Sequence, residues 1–381
     1  MKLKRKLSEF LKRETVLTVA VFLAIVSAVM TPPDREYAGY IDFRTLSILF
    51  CLMTVMAGLQ KLGVFRNIAK TLLRYTQNTI QLVEVLVLLC FFFSMIITND
   101  VSLITFVPFT FIVLRLTGEE AVKKLAVPVI VLQTIAANLG SMLTPIGNPQ
   151  NLYLYGKTQM SAGTFILLML PYSLVSLILL MICVVIVVKR SGIEVRGAEV
   201  LLTEDEKLEQ KKYLLPAYLL LFVLCLLTVA HMIPYPVTLV TVALAVLLLD
   251  RGTIIKVDYS LLLTFVGFFI FIGNMGRMPA FCDFLQKIIG GREVMTAVIA
   301  SQVISNVPAA LLLSGFTENI TALIIGTNLG GLGTLIASMA SLISYKQVAR
   351  QIPGEKKKYF GWFTIANIVF LMILVLENSL L

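Results

Sequence analysis

The chain has 381 residues, 58% of them hydrophobic and only 14% charged, with a mean hydropathy of +0.91. That composition excludes an ordinary soluble domain and supplies several apolar runs near the ~20 residues that a bilayer crossing needs. The formal charge of +10 does not argue for nucleic acid, because the cations sit in short segments between apolar runs, where they set topology.

In chain order, residues 1–13 are basic, and the apolar stretch after them lacks a convincing small-residue cleavage site, so no removable signal peptide is expected. Thr15–Met30 and Phe43–Leu62 read as crossings, followed by a short polar helix carrying Arg66, Lys70 and Arg74. Ile80–Ile97 and Val101–Leu116 are apolar arms joined by Thr98-Asn99-Asp100. The polar tip favours a re-entrant hairpin over two full crossings. Leu125–Leu154 is a helix broken in its middle by Gly, Pro, Asn, Ser and Thr, residues that do not continue a helix cheaply. Phe165–Val188 crosses back, and Lys189–Lys212 is the longest hydrophilic stretch. Tyr213–Ala230, Val237–Leu249 and Tyr259–Gly273 are further crossings. A second hairpin over Glu293–Ser314 has its tip at Ser305-Asn306, and a second broken helix covers Ile320–Ser344 before the last crossing, Phe360–Leu376. The expected class is an all-α polytopic membrane protein with about nine crossings, two re-entrant hairpins and two broken helices.

The device occurs twice. Asn138-Leu139-Gly140 has Thr144 six residues after its Asn, and Asn328-Leu329-Gly330 has Thr334 at the same spacing. Upstream, Phe65 follows Asp42 by 23 residues and Phe281 follows Asp258 by 23. We therefore divide the chain into a first repeat (1–190), a cytoplasmic linker and connecting helix (191–235) and a second repeat (236–381). Of 32 Lys and Arg, only Arg35, Arg44, Lys157, Arg277, Lys287 and Arg292 fall on one side. That bias predicts the N-terminus inside and the C-terminus outside. An odd number of crossings separates the repeats, so they are expected to be inverted.

At membrane depth, broken backbone is tolerated where it is buried in protein or lines a cavity, and its free N–H and C=O groups can hold ions. Candidate ligands at the tips are Thr98, Asn99, Asp100, Ser305 and Asn306, with Na⁺ possible at Asn99, Asp100 and Asn306. Helix capping alone would also account for these residues. The breaks add Asn138, Ser141, Thr144, Asn148, Asn151, Thr327, Asn328, Thr334 and Ser338. Gly140, Gly147 and Gly330 are expected to permit the bends. His231, the single histidine, sits beside two prolines and reads as a surface residue. The five cysteines show no CxxC pair, so free thiols and no metal site are expected. No P-loop is present, which argues against ATP hydrolysis in this chain. The scattered His, Asp, Glu and Cys do not suggest an enzyme, and paired breaks disfavour a passive channel.

In Thr98-Asn-Asp-Val-Ser102, Leu143-Thr-Pro-Ile-Gly-Asn-Pro-Gln-Asn151, Ser301-Gln-Val-Ile-Ser-Asn-Val-Pro308 and Thr327-Asn-Leu-Gly-Gly331, the chain resembles the ion transporter superfamily. That group includes arsenite permeases, citrate and divalent-anion/sodium symporters, and one branch of sodium/proton antiporters. The chain looks most like bacterial inner-membrane permeases with a citrate-transporter-like domain. The resemblance implies two tip-and-break sites near mid-membrane, secondary active transport of a small molecule or ion, Na⁺ or H⁺ as coupling ion, no other cofactor, and a homodimer with elevator motion. In the dicarboxylate branch both tips resemble Ser-Asn-Thr. Here they read Thr98-Asn99-Asp100 and Ser305-Asn306-Val307, the first closer to the arsenite and antiporter branches. The leading expectation is ion-coupled transport of a small anion. The alternatives are efflux of a neutral oxyacid such as arsenite, or Na⁺/H⁺ antiport.

Overall fold

A computed structural model describes residues 14–194 and 214–381. The basic start at 1–13 and most of the expected linker, 195–213, lie outside the described residues. The regular structure found there is helical, as expected. After α1 (Thr15–Met30), the first half comprises α2 (Phe43–Lys61), α3 (Val64–Leu73), α4 (Thr79–Ile97), α5 (Asn99–Thr117), α6 (Glu119–Ser141), α7 (Pro149–Lys157) and α8 (Ala162–Ser191). One helix, α9 (Leu215–Val229), connects to the second half. That half comprises α10 (Tyr235–Leu249), α11 (Tyr259–Gly276), α12 (Pro279–Ile289), α13 (Glu293–Ile304), α14 (Asn306–Leu313), α15 (Ile320–Leu329), α16 (Met339–Gln351) and α17 (Lys356–Leu380).

The halves share local chemistry as well as order. Each has an aspartate N-cap on the long helix after its first: Asp42 Oδ1 accepts from Thr45 N at 2.9 Å, and Asp258 Oδ1 accepts from Leu261 N at 3.0 Å. The short helices α3 and α12 follow, each with a clear apolar face. The hairpin turns come next, with φ/ψ of 71°/153° at Thr98 and 74°/154° at Ser305. Few residues other than Gly adopt that region, and it persists only where surrounding structure fixes it. The broken helices α6/α7 and α15/α16 then supply the next crossing of each half.

The helix lengths correct part of the expected picture. The first hairpin's arms are 19 residues each, long and apolar enough to cross a membrane, whereas those of the second are 12 and 8 residues. The expected crossings α1, α9 and α10 are shorter, at 16, 15 and 15 residues. The arms of the broken helices are also unequal. α6 has 23 residues to the break and α7 has 9 beyond it. At ~1.5 Å per residue this puts the break well past the midpoint of its helix.

α6 is the central element. Its residues from Leu125 to Ser141 are all buried, enclosed by α4, α5, α8 and α17. Large apolar side chains left exposed, including Phe22, Leu167, Leu220, Leu248, Ile365 and Met372, form the lipid-facing surface. α2 is braced by α9 and α10, and α11 by α1. An ion pair between Lys61 and Asp250 at 2.9 Å fastens α2 to the end of α10. At the other end Arg277 pairs with Asp34 at 2.7 Å. Its guanidinium, by hydrogen bond, holds Asp34 below the usual carboxylate range.

Candidate functional site

Each hairpin tip is bonded to the break of its own half by one backbone contact. Asn99 N donates to Gly147 O at 3.2 Å, and Asn306 N donates to Ala337 O at 2.9 Å. A threonine in each break fastens it from the other side: Thr144 Oγ1 donates to Met95 O, and Thr334 Oγ1 donates to Gln302 O. The residue after each contact, Asn148 or Ser338, takes an extended conformation and starts the outgoing arm. The broken ends, which would otherwise carry unpaired N–H and C=O groups, are thus partly satisfied by the hairpins.

Side chains then join the two halves. Asn138 Oδ1 accepts from Asn99 Nδ2 at 3.0 Å and from Ser338 Oγ of the other half at 2.9 Å. Its pseudo-symmetric counterpart, Asn328 Oδ1, lies 3.5 Å from Asn148 Nδ2. Asn328 Nδ2 donates to Asn151 Oδ1 at 2.7 Å, and Asn148 Nδ2 donates to Ser141 Oγ at 2.7 Å. The asparagine of each incoming arm therefore meets the first residue of the opposite outgoing arm. The result is a buried amide and hydroxyl network, strong where satisfied and costly where not. Asn148 Oδ1, Gln150 Nε2 and Ser341 Oγ remain buried without a partner.

Beyond the exchange of one hydroxyl residue for another at Thr98 and Ser305, the tips differ at Asp100 against Val307. Asp100 is half-buried, its Oδ1 has no hydrogen-bond partner, and its backbone N–H donates to Asn99 Oδ1 at 2.9 Å. Neither the side chain of Thr98, the N-cap of α5, nor Asp100 Oδ1 accepts a capping bond, so simple capping does not account for this carboxylate. With Thr98 it lines a cavity of about 200 Å³ that also takes in Lys256, Asp258 and Met339. A neighbouring cavity of about 280 Å³ shares Asp258 and Met339 and reaches Ser305 and Lys346. The two meet at Asp258, on the side expected to face the cytoplasm.

The expected residues Thr98, Asn99, Asp100, Asn138, Ser141, Thr144, Gly147, Asn148, Asn151, Ser305, Asn306, Asn328, Thr334 and Ser338 thus fall in the tips, the breaks or the network between them. Thr327 does not join the network, since its hydroxyl donates to Leu323 O at 2.7 Å in its own helix. Gly140 lies inside α6 and Gly330 at the end of α15 with helical backbone, so neither makes a bend. Both permit close approach of the hairpin. A Cβ on Gly140 would lie 2.0 Å from the Phe91 carbonyl oxygen, whereas one on Gly330 would meet Ser301 Oγ at 2.6 Å and the Gly326 carbonyl oxygen at 2.8 Å. The backbone clash is deeper at Gly140, so Gly140→Ala lowers stability by about 3 kcal/mol and Gly330→Ala by less. Thermal unfolding of the purified variants checks the order, and equal midpoints contradict it. Gly333, at φ +106°, is the glycine that does turn the chain.

Two residues outside the expected site matter. Gln302 closes the second break: its Nε2 donates to Gly330 O at 3.1 Å and Leu332 O at 2.9 Å, and its Oε1 accepts from Thr334 N at 2.9 Å. In the first half that task falls to Asn151, whose Nδ2 donates to Ser141 O at 3.3 Å and Thr144 O at 3.2 Å. The clamp comes from the hairpin in one half and the outgoing arm in the other, so the repeat pattern did not mark it. Asp258 is the second, an N-cap that also stands at the meeting of the two cavities. His231 lies apart, with its ring 3.2 Å from the Arg44 guanidinium. Burial and then Arg44 lower its pKa. Among the described residues no three His, Cys, Asp or Glu are placed to hold a metal ion.

A helical membrane body with paired broken helices, each met by a hairpin, defines a polytopic transport protein. The chain belongs to the citrate transporter family, which it matches over residues 7–321. It is 30% identical over 361 residues to an uncharacterized transporter of Methanocaldococcus jannaschii, with 94% of each chain covered. It is 32% identical over 320 residues to the inner membrane protein YbiR of Escherichia coli, with 82% of each covered. A shorter match, 32% over 153 residues, is to the rice silicon efflux transporter LSI3 and covers 39% of this chain and 30% of that one.

Proposed function

We propose that this transporter is secondary active and moves a small anion coupled to Na⁺ or H⁺. The observation that carries the reading is the convergence of helix ends on one network. The N-termini of α5, α7, α14 and α16 meet there, and these are the positive ends of their helix dipoles. The carbonyl ends of α4, α6, α13 and α15 meet there too, and carbonyl and amide oxygens suit Na⁺. Asp100 is the acidic residue at the tips and is the proposed coupling group. The test is a panel of anion uptakes in proteoliposomes with imposed Na⁺ and H⁺ gradients. The expected result is uphill accumulation of one anion class driven by one of the two gradients. Transport that only follows the substrate's own gradient contradicts it.

Efflux of a neutral oxyacid such as arsenite, or Na⁺/H⁺ antiport, is the second reading. The unpartnered carboxylate favours it, since Asp100 beside a bound anion is repulsive unless a cation intervenes, and the similarity to a silicon efflux transporter points the same way. Efflux of a neutral oxyacid from the same vesicles, and the pH change that a Na⁺ gradient drives without any anion, separate the readings, since in either case the anions do not move.

For location we propose the bacterial inner membrane, with the N-terminus inside and the C-terminus outside, and a homodimer. In a background without native cysteines, single cysteines replacing Pro33, Lys157 or Gly290 are expected to react with an impermeant thiol reagent added outside. Cysteines replacing Lys70 or Glu355 are expected to react only after permeabilisation. Labelling of the Lys70 position from outside contradicts the inverted arrangement.

A further inference from the structure

A wide groove lies remote from the transport network. It has a volume of about 520 Å³ and lies where the start of α6, the end of α8 and the start of α17 come together. Its rim carries Lys123, Lys124, Arg190 and Lys358. Its wall continues as apolar surface through Leu132, Ile186, Val187 and Trp362. Two of the four cations pair only locally, at the surface and within one turn: Lys124 reaches Glu120 at 3.5 Å and Lys358 reaches Glu355 at 3.1 Å. Lys358 Nζ also donates to Lys123 O at 3.1 Å, which ties α17 to α6 at the rim. Lys123 and Arg190 have no ion pair among the described residues. Elsewhere on the same side a cation is neutralised by a buried partner, as in Lys61 with Asp250.

We propose that this groove is a binding site for an anionic phospholipid, its headgroup phosphate held by the four cations and its acyl chains lying along the apolar wall. A site for a soluble phosphate would need the cations alone. The wall of Leu132, Ile186, Val187 and Trp362 below them fits an occupant with a hydrocarbon tail. The location agrees: basic pockets between helices on the cytoplasmic side attract anionic headgroups, and tryptophan settles at the interface. α6 forms one wall of the groove and carries Asn138 at its far end, so the lipid holds a helix that builds the transport site.

Trp362 is the single tryptophan of the chain and reports the site directly. The full chain is reconstituted in phosphatidylcholine bilayers containing a rising fraction of dibrominated phosphatidylglycerol or dibrominated phosphatidylcholine, and quenching of Trp362 fluorescence is followed. Phosphatidylglycerol is expected to quench at a lower fraction. Lys123→Gln with Arg190→Gln is expected to reduce its relative association by about fivefold for each charge removed, while quenching by the brominated phosphatidylcholine stays as in the wild type, which shows that the variant is inserted and folded. Equal quenching by the two lipids in the wild-type protein overturns the proposal. A preference that survives in the double variant also overturns it, as does displacement of the lipid by millimolar inorganic phosphate.

Discussion

Asn138→Ala is expected to lower the initial rate of transport on the order of a hundredfold. Asn138 Oδ1 is the shared acceptor of Asn99 Nδ2 at 3.0 Å and Ser338 Oγ at 2.9 Å, so its loss strands two buried donors. A buried group left unsatisfied costs about 1–3 kcal/mol. The same loss unties the first hairpin from the second half's outgoing arm, and each 1.4 kcal/mol of mispositioning is about tenfold in rate or affinity. Asn328→Ala is expected to act in the same direction and less strongly. Asn328 Oδ1 has one long contact at 3.5 Å, although its Nδ2 also holds Asn151 at 2.7 Å. Initial uptake rates in proteoliposomes, with thermal unfolding as the control for stability, measure both. Wild-type uptake in Asn138→Ala would reduce the network to packing.

Asp100→Asn is expected to fold and insert normally and to lose gradient-driven accumulation, while exchange of internal for external substrate persists. The side chain makes no hydrogen bond that an amide would break, and its Oδ1 is buried without a partner. An uncompensated charge at membrane depth costs about 2.5–3.5 kcal/mol or more, and a bound anion nearby adds to that. The carboxylate is therefore expected to be neutralised during the cycle by Na⁺ or a proton, which is what a coupling site does. The other tip carries Val307 at the equivalent position, so on the proposed reading the single tip carboxylate serves both halves of the site. Unchanged accumulation with the same dependence on Na⁺ and pH in Asp100→Asn removes the coupling role.

Much of this architecture is legible in the sequence because a membrane punishes broken backbone. Gly, Pro and Asn inside apolar runs therefore mark the interruptions at Asn138–Asn151 and Gly326–Thr334 directly. The repeat of Asn-Leu-Gly with Thr at fixed spacing located both breaks. The arms themselves were less legible, because apolar composition cannot separate a 19-residue hairpin arm from a crossing. The roles of individual polar residues were legible only in part. Thr144 and Thr334, candidate ligands by their place in the breaks, also fasten the breaks to carbonyl oxygens, a role their spacing does not encode. Gly140 and Gly330 were expected at bends and instead allow close packing against Phe91 and Ser301. Gln302 escaped notice because its partners are the backbone oxygens of Gly330 and Leu332, a relation that spacing does not encode.

The central claim is that the two tips and two breaks together form one transport site. Its most direct test uses single cysteines in place of Thr98 or Ser305, in a background without native cysteines and in variants that still transport. Their reaction rates with a small thiol reagent are measured with and without the anion that shows gradient-driven uptake. The account predicts that the same anion slows labelling at both positions, although they lie in different halves of the chain. Labelling rates at both positions that do not respond to a transported anion would contradict it.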